Sequence, residues 1–201
     1  MFVKICGITS VVDACVVVEA GADAVGVVMS GTSVRGVGME VAGRVVETVG
    51  GRVSTVLVTN DLPVRVAVDV AQRLGFSVLQ LHGSAYGFED FVAAAEVFPR
   101  VWRATSFSQA GVLDARAWGA EVLVLDAPRP GEGLAWDWSV LGSQCPVGEW
   151  MLAGGLHPGN VAEAVRVVSP WGVDVASGVE VRPGVKDPEK VFAFVEAARS
   201  I

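Results

Sequence analysis

Eight short apolar runs recur along this chain of 201 residues at nearly even intervals. Their last residues are Cys6, Met29, Thr59, Leu81, Thr105, Leu125, Ala153 and Ala176. The spacing averages roughly 25 residues, about the length of one strand, one helix and two tight turns. Parallel neighbouring strands need a crossover of a dozen or more residues, usually a helix. The pattern therefore predicts one α/β domain over residues 1–201, a TIM-type (β/α)8 barrel with eight parallel strands.

The composition agrees with strands that are buried on both faces. The chain is 52% hydrophobic and 18% charged, and runs such as AVGVVM and VSTVLV are rich in β-branched residues. Between the runs, apolar residues recur at three- and four-residue spacing, which predicts helices over Val64–Leu74, Phe88–Val97, Val161–Val168 and Val191–Ala198. In such a barrel the active site is expected at the carboxyl ends of the strands.

Several classes of partner and location are disfavoured. The longest apolar stretch, Ala14–Met29, contains Glu19 and Asp23, so no membrane span is predicted. The start of the chain has no signal-peptide pattern, and three cysteines without a CxxC pair favour a reducing cytoplasm. The formal net charge of −7 disfavours nucleic acid. An anionic small molecule would have to be bound by local donors.

Such donors are expected in the loops after the seventh and eighth strands. Gly154 and Gly155 follow the seventh run, and Ser177 and Gly178 follow the eighth. In barrels these two loops often bind phosphate through backbone N–H groups and a helix N-terminus. Glycine allows the backbone to approach an oxyanion closely. We therefore predict that these four residues bind phosphate.

Two residues at strand ends are candidates for proton transfer. Cys6 closes the first strand and precedes Gly7, and a thiolate there is a possible base, although many cysteines are only small buried hydrophobes. Asp126 closes the sixth strand after four apolar residues. That setting raises a carboxyl pKa and suits a general acid, although such a residue can also simply cap a turn.

The other cysteines and the histidines are weaker candidates. Cys15 is expected to be a buried residue of the first helix, and Cys145 has no evident partner. His82 closes the fourth strand, where a catalytic and an orienting role are both open, whereas His157 is expected to stabilise a turn. No spacing of His, Cys, Asp and Glu resembles a metal-ligand set, so no metal is predicted.

The chain resembles the phosphoribosylanthranilate isomerases over essentially its full length. The resemblance rests on Val3-Lys4-Ile5-Cys6-Gly7-Ile8-Thr9, Leu79-Gln80-Leu81-His82-Gly83, Leu125-Asp126 with Asp137-Trp138-Ser139, Leu152-Ala153-Gly154-Gly155-Leu156 with Pro158 and Asn160, and Gly172-Val173-Asp174-Val175 continuing to Ser177-Gly178-Val179-Glu180, Pro183-Gly184 and Lys186-Asp187. These motifs follow the family's order and fall at the predicted strand ends.

The resemblance implies an Amadori rearrangement of a phosphosugar, without a cofactor. Asp126 would be the acid that opens the ribose ring, and Cys6 would be the base that removes the C2 proton. For both to work near neutral pH, we expect a depressed pKa for the thiol and a raised pKa for the carboxyl. The resemblance also assigns Arg35 to the anthranilate carboxylate, a task that suits a guanidinium. It places Gln80, His82 and Asp174 among the substrate-binding residues.

The chain departs from the family pattern at three positions, and alternatives stay open. Glu132 replaces a common threonine, Val34 a common proline and Ala176 a frequent serine. The alternatives are a related sugar isomerase of histidine biosynthesis, an isomerase with two substrates, and a phosphate-ligand binder without activity. For the oligomeric state, we expect a monomer or a weak homodimer.

Overall fold

The protein is a closed barrel of eight parallel strands, described here from a computed structural model over residues 1–127 and 137–200. Each strand pairs with its neighbour in sequence, and β1 pairs with β8 to close the ring. The strands are β1 Phe2–Ile5, β2 Ala24–Val28, β3 Ser54–Thr59, β4 Val78–His82, β5 Val101–Ser106, β6 Val122–Asp126, β7 Trp150–Leu152 and β8 Gly172–Val175. The predicted barrel and its eight parallel strands are confirmed.

Helices follow most of the strands. They are α1 Val11–Glu19, α2 Met39–Val49, α3 Val64–Leu74, α4 Phe88–Ala95, α5 Val161–Val168 and α6 Pro188–Arg199. The predicted bounds of α3 and α5 are confirmed at both ends. Side-chain caps set two helix starts: the Ser10 hydroxyl accepts from the Asp13 N–H, and Asp187 accepts from two N–H groups of α6. No helix within the described ranges is long and apolar enough to cross a membrane.

The fifth and sixth units differ from the prediction, because no α-helix occurs there among the described residues. Short 3₁₀ helices span Phe107–Gln109, Arg116–Trp118 and Trp138–Ser143. After β5, Gly111 and Gly119 both have positive φ, at 58° and 73°, and interrupt a helix. Arg103 of β5 stabilises this segment instead. Its guanidinium donates to the Ala110 carbonyl at 3.0 Å and lies 3.9 Å from the centre of the Trp118 ring.

The alternation of side chains along each strand separates two cores. One lies between the strands and the helices; the other fills the barrel interior. In β1, Val3 and Ile5 face the helices, whereas Cys6 belongs to the interior group. The amino-terminal end of the interior is closed by aromatic rings: Phe2 stacks on Trp171 with centroids 4.5 Å apart and meets Trp102 edge-on at 6.0 Å. The other end is left for polar residues.

After β8 the chain forms a small antiparallel ribbon before α6. Its strands, β9 Glu180–Arg182 and β10 Val185–Lys186, lie outside the barrel sheet. The ribbon is tied to the loop after β1, because the Thr9 hydroxyl donates a hydrogen bond to the Gly184 carbonyl. It therefore borders the carboxyl-terminal end of the barrel next to the loops of β1 and β2.

Candidate active site

A cavity of about 770 Å³ opens at the carboxyl ends of the strands. Its volume falls within the range of small-molecule sites. Nine of the ten predicted site residues line it: Cys6, Arg35, Gln80, His82, Asp126, Gly154, Gly155, Asp174 and Ser177. These residues come from six strands and the loops that follow them. The cavity is therefore a single site, gathered from across the whole chain.

Cys6 lies at the wall of this cavity and is 8% exposed. Its sulfur has room because residue 26 of the neighbouring strand is glycine. A Cβ at Gly26 would lie 2.8 Å from the Cys6 Sγ and 3.1 Å from the Lys4 Cε, both closer than ordinary packing allows. Gly26 thus provides the space that both side chains occupy.

Asp126 lies at the end of β6, with 15% of its side chain exposed. Its Oδ1 accepts from the Ala127 N–H at 2.8 Å, and its Oδ2 lies 4.0 Å from the His82 Nε2. Burial raises the pKa of the Asp126 carboxyl to about 6, while the pKa of His82 is lowered, chiefly by burial. His82 is therefore a neutral neighbour of the carboxyl at pH 7.

The order of the two pKa values contradicts one expectation. The raised pKa of Asp126 agrees with the prediction, but the pKa of the Cys6 thiol is raised rather than depressed. Burial is the main cause, and the charge of Lys4 only partly offsets it. In the free protein the carboxyl therefore ionises at lower pH than the thiol. The expectation of a depressed thiol pKa is therefore wrong.

Arg35 does not extend freely from its loop, as a solvated loop arginine would. Its Nε and Nη2 donate to the two carboxylate oxygens of Glu180 at 2.8 and 2.9 Å. Glu180 also accepts from the Lys186 Nζ at 2.9 Å. The aliphatic part of Arg35 lies over Gly7, where a Cβ would be 2.5 Å from the Arg35 Cδ. No hydrogen bond from the Nη1 of Arg35 occurs among the described residues, and Arg35 lines the cavity.

Gln80 has a polar atom that the protein leaves unsatisfied. The residue is 2% exposed and lines the cavity from β4, and its Oε1 accepts no hydrogen bond within residues 1–127 and 137–200. A buried acceptor without a donor is costly, and ligands or water commonly satisfy such groups. The geometry therefore suits a donor on a bound molecule.

Asp174 lies at the cavity end of β8, two strands from Asp126 in the ring. Its Oδ1 accepts from the Lys4 Nζ at 2.9 Å, and Lys4 is fully buried. Burial alone would lower the pKa of Lys4, but the charges of Asp174 and Cys6 raise it above its ordinary value. The ammonium group is therefore charged inside the barrel.

The two predicted phosphate loops meet at the edge of the cavity. Gly154 and Gly155 have consecutive positive φ values of 83° and 67°, a conformation that strongly favours glycine. A Cβ at Gly154 would lie 2.6 Å from the Asp126 Oδ1, and one at Gly178 would lie 1.9 Å from the Leu156 carbonyl oxygen. Gly178 does not line the cavity, and its evident role is to let the loops after β7 and β8 touch.

The remaining sequence candidates lie away from the chemistry. His157 stabilises the turn before α5, because its Nδ1 accepts from the Gly159 N–H at 3.1 Å, as predicted. Cys15 is partly buried in α1. Cys145 has a partner after all, since its thiol lies 3.4 Å from the Leu141 carbonyl. No group of three potential metal ligands occurs in the described part of the chain. Glu132 lies outside the described residues.

Three residues of the site were missed by the sequence reasoning. Lys4, Gly26 and Glu180 are in direct contact with Cys6, Asp174 or Arg35. A lysine in an apolar strand carries no pattern that reveals a buried partner 170 positions away. The sequence holds one signal for Lys4. Side chains alternate along a strand, so Lys4 is predicted to lie on the same face of the sheet as Cys6.

Comparisons with known proteins agree with this geometry. A family model described as N-(5'phosphoribosyl)anthranilate (PRA) isomerase matches residues 3–197. A protein of Citrifermentans bemidjiense named N-(5'-phosphoribosyl)anthranilate isomerase is 39% identical, with 99% of this chain and 97% of that protein covered.

Solved structures show the same likeness. The crystal structure of TrpF from Jonesia denitrificans is 48% identical, covers 99% of this chain and 97% of that chain, and superposes with a TM-score of 0.92. A phosphoribosyl anthranilate isomerase solved in complex with reduced 1-(o-carboxyphenylamino)-1-deoxyribulose 5-phosphate is 33% identical, with both chains fully covered and a TM-score of 0.87. This chain belongs to the N-(5'-phosphoribosyl)anthranilate isomerase family.

Proposed function

We propose that the protein converts N-(5-phosphoribosyl)anthranilate into 1-(2-carboxyphenylamino)-1-deoxyribulose 5-phosphate, a step of L-tryptophan biosynthesis. The family match over residues 3–197 supports this activity. The observation that carries the chemistry is a buried carboxyl with a pKa near 6 and a thiol in one cavity, at the ends of β6 and β1. An aldose–ketose isomerisation of this kind needs one proton donor and one proton acceptor.

Asp126 is the proposed acid and Cys6 the proposed base. The protonated Asp126 donates its proton to the ring oxygen of the ribose, the C1–O bond breaks, and the anilino nitrogen forms a Schiff base with C1. The Cys6 thiolate then removes the proton from C2, which gives an enolamine. Tautomerisation to the ketone completes the rearrangement. Carbon, nitrogen and oxygen all stay within the substrate, so the reaction requires no cofactor.

The pKa order means that the active form is a minor protonation state of the free enzyme. Activity requires a protonated Asp126 together with an ionised Cys6, yet the carboxyl has the lower pKa. The raised thiol pKa and the lower carboxyl pKa together make that form a small fraction of the free enzyme at any pH. A bell-shaped dependence of kcat/KM on pH is expected. Its acidic limb reflects ionisation of Asp126, and its alkaline limb reflects ionisation of Cys6.

Substrate binding is proposed for the polar residues that line the cavity. The guanidinium of Arg35 suits the anthranilate carboxylate, and the Gln80 Oε1 suits a hydroxyl or N–H of the ligand. His82 and Asp174 complete the ring of polar contacts. For the phosphate, we propose the backbone N–H groups of the loops that contain Gly154, Gly155, Ser177 and Gly178.

The remaining proposals concern the protein as a whole. We infer a single domain over residues 1–201, a cytoplasmic location, no nucleic-acid partner, and a monomer or weak homodimer. The net charge of −7 and the reduced state of all three cysteines support the proposals on partner and location.

The decisive experiment supplies the phosphoribosyl adduct to purified protein and follows the loss of its anthranilate-type fluorescence. Turnover is expected without added metal and in the presence of a chelator. The sugar isomerase substrate of histidine biosynthesis, incubated with the protein and analysed by chromatography for its product, should give no turnover. Binding without turnover at high enzyme concentration would favour the phosphate-ligand binder, and a strict need for a divalent ion would refute the mechanism.

A further inference from the structure

Lys4 is a charged residue at the centre of the barrel that the proposed reaction does not use directly. It is fully buried and paired with Asp174 at 2.9 Å, and it does not line the cavity. An ammonium group in such a place carries a large desolvation cost, which one well-placed carboxylate offsets only in part. A structural core position would normally hold an apolar residue, so the charge itself calls for an explanation.

The position of Lys4 relative to Cys6 provides one. Lys4 in β1 and Cys6 just after it are two positions apart and face the interior, and both lie beside Gly26 of β2. The Cys6 Sγ lies 2.8 Å and the Lys4 Cε 3.1 Å from the Cβ position that Gly26 leaves empty. Because the two distances share that point, Sγ and Cε are at most about 6 Å apart, the sum of the two. The substitution of glycine by any larger residue would separate them.

Several charged groups surround the Cys6 sulfur. Lys4 from β1 and Lys186 from β10 favour its ionisation, whereas Asp174 from β8 opposes it. The charge of Lys186 is taken up by Glu180, which lies 2.9 Å away and also holds Arg35 from the loop after β2. Of these cations, Lys4 acts most strongly on Cys6, and its only described ion-pair partner is Asp174.

We propose that Lys4 is a positioning residue of the isomerisation, which supplies the positive charge beside which the Cys6 thiolate forms, while Asp174 holds that charge in place. The proposal rests on the proposed function only in taking Cys6 as the base. Asp174 then has two opposite effects: it anchors the ammonium near the sulfur, and its own negative charge opposes the thiolate. Because burial also confines the Lys4 side chain, the loss of the opposing charge should outweigh the loss of the anchor, and removal of Lys4 and removal of Asp174 should shift thiolate formation in opposite directions.

Alkylation of Cys6 by iodoacetamide, followed by mass spectrometry of its peptide from pH 6 to 10.5, measures thiolate formation without any need for turnover. The reagent is uncharged, so Lys4 does not attract it. Each variant's alkylation rate is divided by its own rate at the highest pH, which corrects for differences in access of the reagent to the sulfur. At pH 7.5 the corrected rate should rise in Asp174→Asn and fall in Lys4→Met. A unit charge at roughly 6 Å changes such an equilibrium by a factor of about 10 to 100.

The double variant keeps the test decisive if Lys4→Met alone does not fold, since that change leaves Asp174 buried without its partner. Lys4→Met with Asp174→Asn differs from Asp174→Asn only in the charge of Lys4, and should alkylate at least about tenfold more slowly at pH 7.5. Lys190→Met, the same change at a half-exposed site in α6, is the matched control and should match the wild type.

Kinetics separate this role from a substrate contact. Because Lys4 does not line the cavity and touches the proposed substrate contacts only through Asp174, its loss should lower kcat by a larger factor than it raises KM. Equal alkylation of the double variant and Asp174→Asn, or a rise in KM alone, would overturn the proposal. If the variants show the expected order of alkylation rates but the wild-type protein shows no turnover, the proposed function is refuted and the electrostatic role of Lys4 stands.

Discussion

The buried Asp126 should make the folded protein less stable than it would be with a neutral residue there. The pKa of its carboxyl is about 6 in the folded protein, whereas an unperturbed aspartate has a pKa of 3.8. Between these values the folded state holds more protons than the unfolded chain, so stability falls as the pH rises through this window. Above pH 6 the loss of folding stability reaches its full value of about 3 kcal/mol, because each unit of difference between the two pKa values corresponds to about 1.4 kcal/mol.

Asp126→Asn removes this loss and keeps the shape of the side chain. The amide oxygen can still accept from the Ala127 N–H, now 2.8 Å from the carboxylate. We expect the variant to be more stable than the wild type by about 3 kcal/mol at pH 8, and by only about 1.5 kcal/mol at pH 5. It should also lose at least about 100-fold in kcat, because an amide cannot donate an acidic proton.

Equilibrium unfolding in urea at pH 5 and pH 8, followed by tryptophan fluorescence, measures the difference. Asp69→Asn is the matched control, since that carboxylate is 63% exposed and its removal should change stability little at either pH. If Asp126→Asn is no more stable than the wild type at pH 8, or if its advantage does not grow with pH, burial does not raise the pKa of Asp126. The proposed acid would then lose its physical basis.

Four further predictions concern the same chain. The pH profile of kcat/KM should rise through an acidic limb near pH 6, from Asp126, and fall through an alkaline limb from Cys6, whose pKa is raised by burial; a thiol that titrates at the acidic limb would reverse this assignment. Cys6→Ser should fold normally and lower kcat by at least about 100-fold, and near wild-type kcat would exclude Cys6 as the base. Arg35→Ala should raise KM by about 10- to 100-fold, and Glu180→Gln should raise it less; an unchanged KM in Arg35→Ala would exclude the carboxylate contact. Arg103→Met should cost about 1–3 kcal/mol in urea unfolding with activity retained, because the carbonyl contacts and the ring contact lie outside the cavity.

The fold was predictable because the strands of a parallel barrel are buried on both faces. Val122 to Leu125 form an unbroken apolar run, and the structure places them in β6 and Asp126 at its end. The helices were predictable where one apolar stripe covers three turns, as in Val64–Leu74. The segment after β5 has no such stripe. Its packing depends on the contact of Arg103 with Trp118, which a linear pattern does not reveal.

Most of the predicted site residues line the cavity, but their electrostatics were not predictable. The position of Cys6 at a strand end follows from sequence, whereas its raised pKa depends on how deeply the neighbouring strands bury it. Similarly, Arg35 was placed correctly at the cavity, but its pairing with Glu180 joins residues 145 positions apart. Such pairs depend on three-dimensional proximity, and the sequence alone carries no periodicity that reports them.

The ion pair of Lys4 and Asp174 also has a consequence for how the chain becomes active. The two residues are direct partners in the register of β1 and β8, the seam at which the barrel closes. They are separated by 170 positions, so this contact has one of the longest loops to close in the molecule. No fragment that ends before β8 can contain the pair, although it would already contain Cys6 and Asp126. On the proposed role of Lys4, a chain that ends before β8 should form the Cys6 thiolate less readily than the full barrel, even though it holds both proton-transfer residues.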